Sequence, residues 1–188
     1  MRDGAVPPRR NSHGPARRAV LGPMAELRLR KRARLKRKEI EAYASALEAL
    51  LGATVFSPDD TVDEAEGPEF RVVFVNGPAL AMVLGDRPML TVRGLLAYRP
   101  TLRYVTVDMG AVPYIYNGAD VMVPGIVDAD PLIAPGDFVW VRDERNKRPL
   151  AIGEALLSGP DMVAQDKGKA VRSIHHVGDE LWRVDEGT

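Results

Sequence analysis

Cysteine is absent from the 188 residues, which excludes disulfides and cysteine-bearing metal sites and suits a cytoplasmic protein. No apolar run reaches the length needed to span a bilayer, so no membrane contact is expected. Residues 1–23 are rich in arginine, proline and glycine but lack the continuous apolar stretch of a secretory signal. They read as a disordered basic extension, with Met24 as a candidate start. Histidine is scarce: His13 lies in that extension, and His175 and His176 are adjacent. Neighbours on a strand point to opposite faces, which disfavours a shared metal and predicts that one ring packs while the other meets solvent. The chain also lacks a GxSxG elbow, a Walker loop and a dinucleotide fingerprint, and Gly118 and Gly125 are too dispersed to cradle a nucleotide. Asp120 is a lone loop carboxylate, a setting that is more often structural than catalytic. No reaction, cofactor or metal is therefore assigned. With 45% hydrophobic residues, a chain of this length forms one or two compact cores and leaves no room for a large catalytic domain.

The formal net charge is zero, yet the charge is unevenly distributed. Thirteen of the 26 Lys and Arg but only two of the 26 Asp and Glu fall in the first 38 residues, leaving +11 there and −11 over residues 39–188. Arg28, Arg30, Lys31, Arg32, Arg34, Lys36, Arg37 and Lys38 form the densest part, a basic arm on an acidic body. Apolar residues recurring at three- and four-residue steps predict a helix from about Ala25 to Leu51, stopped by Gly52. Positive charge near a helix start opposes the macrodipole, so helix stability is a poor reason for those residues and phosphate contacts are a better one. The competing reading has Leu29 and Leu35 packing inward while the cations only solubilise the outer face.

Downstream, Thr54 to Phe56 reads as a short strand and Pro58 to Pro68 as an acidic, turn-rich connector. Arg71 to Val75 and Ala79 to Leu84 flank Asn76-Gly77-Pro78, a hairpin pattern in a small sheet. Thr91 caps a short helix that ends before Pro100. Arg103 to Val107 then enters a second unit, in which Asp161 to Ala164 gives a helical turn, Val171 to Val177 a strand, and Leu181-Trp182 a closing apolar contact.

The richest stretch is Thr106 to Ile126, TVDMGAVPYIYNGADVMVPGI. Asp108 can cap a short helix whose first turn holds Gly110, Ala111 and Pro113, leaving amides accessible for an anion. Asn117 and Gly118 tolerate the left-handed conformation of a helix exit, and Ala119 keeps the bend unobstructed. Val121-Met122-Val123 resumes as a strand, Pro124-Gly125 turns it, and Pro135-Gly136-Asp137 introduces the apolar run Phe138 to Val141. Met122 and Ile126 read as core, and a competing reading also places one of Tyr114 and Tyr116 there. Short strands between such turns indicate a small barrel.

The order GAVPYIYNGADVMVPGI, GDFVWV, AIGEAL, GKAVRSIHHVGDELW resembles a PUA domain, the RNA-binding module of pseudouridine synthases and archaeosine transglycosylases, over about Arg103 to Val184. The preceding FRVVFVNGPALAMVLGDRPMLTVRGLLAYRPTLRYVTVD resembles the pre-PUA region of the malignant T-cell-amplified family of translation factors, here as an archaeal-type single chain. Members of that family pair with the density-regulated protein and are related to ligatin. The resemblance implies an α+β fold, with a pre-PUA α+β domain over 24–100 followed by a PUA pseudo-β-barrel over 101–185. It implies an RNA-facing groove over Gly110 to Gly125 and Val171 to His175. There Gly110, Ala111, Pro113, Gly118, Ala119 and Gly125 would allow close backbone approach, Tyr114 and Tyr116 could stack on unpaired bases, Asn117 or Asp120 could read a base edge, and Arg172 could meet phosphate.

Residues 103–185 carry nine basic and thirteen acidic side chains, a balance of −4, so binding in the groove should be local and shape-dependent. That fits a short single-stranded end. The resemblance implies a noncatalytic translation-associated factor that recognises the tRNA acceptor (CCA) end, the small ribosomal subunit with its rRNA, or both, with a translation-factor partner. The alternative is an RNA-targeting subunit that guides a separate tRNA or rRNA modification enzyme.

Overall fold

The computed structural model describes residues 27–185, so the extension expected over 1–23, with Met24 and His13, lies outside the described residues. The first half is a five-stranded antiparallel meander of β1 (Arg30–Arg34), β2 (Val62–Glu66), β3 (Arg71–Val75), β4 (Ala79–Leu84) and β5 (Arg87–Leu90), paired in chain order. Helix α1 (Arg37–Leu51) lies between β1 and β2, and α2 (Val92–Tyr98) follows β5. The second half contains β6 (Tyr104–Val107), α3 (Val112–Tyr116), β7 (Val121–Met122), a 3-10 turn (Val123–Gly125) and β8 (Ile126–Ala129). It continues through β9 (Phe138–Asp143), β10 (Pro149–Ala155), α4 (Gly159–Ala164), β11 (Lys169–His176) and α5 (Glu180–Arg183). Its sheet runs β7-β11-β10-β9-β6-β8, with β6 parallel to β9, and curls into a near-barrel.

The long helix expected over Ala25 to Leu51 is shorter. Arg30 to Arg34 is an edge strand and the helix begins at Arg37. The reason is tertiary. β2, which falls inside the stretch read as an acidic connector, supplies the partner, and Arg30 faces Glu66, Ala33 faces Glu64 and Arg34 faces Asp63 across the ladder. Opposite charges across a strand pair favour this register over a continued helix. Arg34 and Arg32 reach Asp63 at 2.6 and 3.1 Å, Lys31 reaches Glu66 at 3.1 Å, and Arg37 reaches Glu41 at 2.9 Å. The hydrogen bond from Arg34, aided by that from Arg32, holds the Asp63 carboxyl below its ordinary value against a smaller opposing cost of burial. Half of the basic arm is thus paired with the chain's own acids, while Leu29 and Leu35 pack against the core. Glu39 accepts the Lys36 N–H at 2.8 Å and places a negative charge in the first turn of α1, which marks the true helix start. The strand expected at Thr54 to Phe56 does not form.

Helix α1 attaches to the sheet through Leu47 and Leu51 and through Tyr43, whose hydroxyl donates to Glu64 at 2.6 Å and accepts from Arg71 at 3.2 Å. Burial, with the Glu64 carboxylate beside it, pushes the Tyr43 phenol up to about 12. The expected hairpin forms around Asn76-Gly77-Pro78, and the Thr91 hydroxyl caps α2 by accepting the Gly94 N–H at 3.1 Å.

Strand β9 is buried on both faces. Val139 and Val141 point into the barrel core, while Phe138 and Trp140 join Ile152 and Leu181 in the core of the first sheet. A continuous apolar strand fits that double burial. Polar contacts follow the same seam. The Trp140 indole N–H donates to the Leu102 carbonyl at 2.7 Å, and Arg87 donates to the Gly136 carbonyl at 2.6 Å with its guanidinium over the Phe138 ring. Arg93 donates to the Trp182 carbonyl and lies 3.8 Å above that ring. The His175 ring donates from Nδ1 to Asp179 at 2.8 Å and accepts the Val92 N–H at Nε2 at 3.1 Å, which fixes one neutral tautomer.

Gly94 sets how closely α2 approaches β4, because a Cβ there would stand 1.9 Å from the Leu80 carbonyl oxygen. Gly94→Ala should therefore lower stability by about 1–3 kcal/mol or more despite alanine's better helix propensity. Leu96→Ala, on the exposed side of the same helix, should change it by less than about 1 kcal/mol. Urea denaturation midpoints check both.

Candidate functional site

The site is built where α3 leaves β6 and returns through β7 to lie beside β11. Ile115 is buried and anchors α3. Its neighbours Tyr114 and Tyr116 each sit about 100° around the helix from the inward direction, and both face out, with 69% and 40% of their surface exposed. The competing reading in which one tyrosine joins the core does not hold. Met122 is corrected likewise. It is 49% exposed because Val121 and Val123, on either side of it, take the inward positions, whereas Ile126 packs against the barrel core as expected.

The Asp108 carboxylate accepts the Ala111 N–H at 2.9 Å, and the Asp108 N–H donates to the Gly125 carbonyl at 2.9 Å. This closes the turn but places a carboxylate on an amide expected to be open to an anion. The anion site expected at this helix start is therefore not formed. Gly125 lies against Ala111, since a Cβ on the glycine would meet the alanine methyl at 3.1 Å. Pro113 and Asn117 are exposed at opposite ends of α3, Gly110 is exposed before it, and Ala119 is half-buried after it.

The exit from α3 is made by Gly118 rather than Asn117, with φ +83 at the glycine and −89 at the asparagine. A Cβ on Gly118 would lie 3.0 Å from Nε2 of His176, so the histidine ring rests against bare backbone. Asp120 then crosses to β11, where it accepts the Ser173 N–H at 2.8 Å and pairs with Lys169 at 2.8 Å. Arg172 extends to Glu154 at 3.0 Å. Gly110, Ala111, Pro113, Tyr114, Asn117, Gly118, Ala119, Asp120 and Gly125 thus lie on one continuous segment that runs from β6 through α3 and β7 to the 3-10 turn, and Arg172 lies on β11, the strand that β7 and Asp120 join. The basic arm belongs to the other sheet. His176 lies one residue beyond the segment Val171 to His175 expected to line the groove. Alternation carried the signal: once His175 is buried at 2% exposure, His176 must face the other side.

Among the described residues no cluster of three or more His, Cys, Asp or Glu is placed to hold a metal ion, and no helix is long and apolar enough to cross a membrane. Burial raises the Asp179 carboxyl, but hydrogen bonds from His175 and from the backbone N–H groups of Trp182 and His176 outweigh it and hold it below its ordinary value. A depressed carboxylate stabilises the fold above its unfolded-state pKa, and that contribution disappears as pH falls through the folded-state value. The stability gap between the wild type and Asp179→Asn should therefore be full at neutral pH and close as pH falls below the ordinary carboxylate range and through the lowered folded-state value. Asp120→Ala should cost about 1.5–3 kcal/mol, because it removes charge-assisted bonds to β11. Unfolding curves across a pH series read both effects.

The PUA domain family model matches residues 103–177. Over 158 residues the chain is 37% identical to an uncharacterized protein of Methanocaldococcus jannaschii, an alignment that covers 83% of this chain and 98% of that one. Translation machinery-associated protein 20 of Eremothecium gossypii is 35% identical over 99 residues, covering 44% of this chain and about half (55%) of that protein's length. Among solved structures, a hypothetical protein of Pyrococcus horikoshii superposes with a TM-score of 0.75 at 38% identity, covering 82% of this chain and 99% of that one.

Proposed function

The chain belongs to the PUA-domain family that includes the translation machinery-associated and malignant T-cell-amplified proteins, and on that premise we propose that it is a noncatalytic RNA-binding factor of the translation machinery that holds the single-stranded acceptor end of tRNA. The observation that carries this reading is the groove wall. Two exposed tyrosines on α3 precede the Gly118 exit, where the His176 ring lies against the glycine, with half-exposed Met122 on the next strand. Exposed aromatic faces that can stack on unpaired bases suit a splayed single strand better than a duplex. The reading includes a division into an N-terminal unit over 24–100 and a barrel over 101–185. It also gives the arm cations that form no ion pair among the described residues, Arg28, Arg30, Lys36 and Lys38, a role in contacting small-subunit rRNA, and it takes the protein to be cytoplasmic.

The deciding experiment is fluorescence-anisotropy binding to intact tRNA and to the same tRNA lacking its terminal CCA, across a salt series. A preference for the intact end supports the groove as reader. Equal and steeply salt-dependent binding would make the arm the main contact and overturn the proposal. Gly118→Leu combines a positive φ with a clash against His176, and should weaken end recognition about tenfold or more while leaving affinity for small subunits unchanged. Neutralising Arg30, Arg32, Arg34 and Lys36 together should flatten the salt dependence of small-subunit binding. The slope should change less than four free cations would give, because Arg32 and Arg34 already share Asp63.

A further inference from the structure

The two adjacent histidines end up in opposite chemical situations. His175 has both ring nitrogens engaged, Nδ1 with Asp179 and Nε2 with the Val92 N–H. His176 has only one nitrogen occupied within the fold: Nδ1 lies 2.9 Å from the Val177 carbonyl oxygen. A carbonyl accepts only, so Nδ1 carries the proton, and the neutral ring presents Nε2 as a bare acceptor. Among the described residues no hydrogen-bond partner meets that nitrogen. It lies instead against Gly118, 3.0 Å from where a side chain would begin, at the wall formed by α3 and β7. The ring is held in place. The His176 N–H donates to Asp179 at 2.9 Å, and the Asp179 N–H returns to the His176 carbonyl at 3.2 Å. The missing side chain at Gly118, the fixed tautomer and the unpartnered acceptor thus occur at one point of the groove.

We propose that Nε2 of His176 is a nucleotide-reading acceptor of this groove, and that its complement is a hydrogen-bond donor on the bound RNA end, either a ribose 2′-hydroxyl or an exocyclic base amine. The inference rests on the RNA-groove reading above and specifies its chemistry. The charged groups on the surrounding elements are already engaged. Asp120 is held by Lys169 and the Ser173 N–H, Glu154 on β10 by Arg172, and Asp179 by His175 and backbone amides. Glu180 opens α5 beyond it, and α3 contributes only the phenols of Tyr114 and Tyr116.

The test uses the full chain and tRNA at pH 7.5, comparing the wild type with His176→Phe, which keeps an aromatic ring and loses the acceptor, and with His176→Gln, which restores an acceptor. His176→Phe should weaken binding about tenfold, equivalent to about 1.4 kcal/mol, and His176→Gln should recover part of it. A terminal 2′-deoxy substitution, or replacement of one terminal base amine, should cost the wild type the same factor and His176→Phe nothing. Which substitution does so identifies the donor. Equal penalties in both proteins, or unchanged binding by His176→Phe, would overturn the proposal. Nitrogen-15 NMR of the labelled imidazole gives an independent reading that does not depend on a variant folding. Nε2 should resonate as unprotonated in the free protein and shift on adding tRNA. If the Gly118 amide shifts while the His176 nitrogen does not, the groove reading survives and this inference fails. If neither shifts, both fall.

Discussion

The structure depends on one strand that is buried on both faces. β9 sends Val139 and Val141 into the barrel and Phe138 and Trp140 into the core beneath the first sheet, so the two halves share a single apolar seam. Each large side chain transferred there from water contributes roughly 1.5–3 kcal/mol, and the polar atoms on the seam are paired across it. His175 takes the Val92 amide, Trp140 takes the Leu102 carbonyl, and Asp185 accepts the Ala79 amide at 3.1 Å. One consequence reaches the groove. β11 is clamped at His175, which fixes His176 on its opposite face, beside Gly118.

The acidic balance of the second half, which at first argues against RNA, has a structural explanation. Asp108, Asp120, Asp128, Asp130, Asp137, Asp143 and Asp179 each accept a backbone N–H, at Ala111, Ser173, Ala129, Leu132, Ala134, Asn146 and Trp182 respectively. These carboxylates build turns in a small barrel with many short strands, and several also pair with a cation, as Asp137 does with Arg103 at 3.1 Å. Their number reflects how many tight turns need an acceptor. The exposed side chains Tyr114, Tyr116 and Met122 carry no charge, and Asp120 beside them is paired with Lys169, which suits contact with bases more than with a phosphate field.

Local signals were legible in the sequence and reciprocal ones were not. The hairpin at Asn76-Gly77-Pro78, the Thr91 cap and the Gly118 exit each follow from residues within a few positions of one another. β1 and β2 were missed because each becomes a strand only in the presence of the other. RKRAR has no apolar alternation of its own, and VDEAE reads as connector until the basic strand is laid beside it. Helical spacing of apolar residues simply ran back through Leu29 and Ala33. In the groove, the wall segment was evident from its turn residues, but the side-chain directions were set by packing. Ile115 takes the inward position and turns both tyrosines out, and the two valines flanking Met122 do the same to the methionine. His176 needed knowledge of which histidine was buried, and that depends on α2, more than eighty residues earlier in the chain.

The central claim is that the RNA end lies in the groove between α3, β7 and β11. The most direct test is to place a photoreactive nucleotide at the 3′ terminus of tRNA, crosslink it to the full chain, and map the adducts by mass spectrometry. The account predicts adducts within residues 110–125 and 172–176, with Tyr114 or Tyr116 prominent. Adducts confined to residues 28–38 would contradict it.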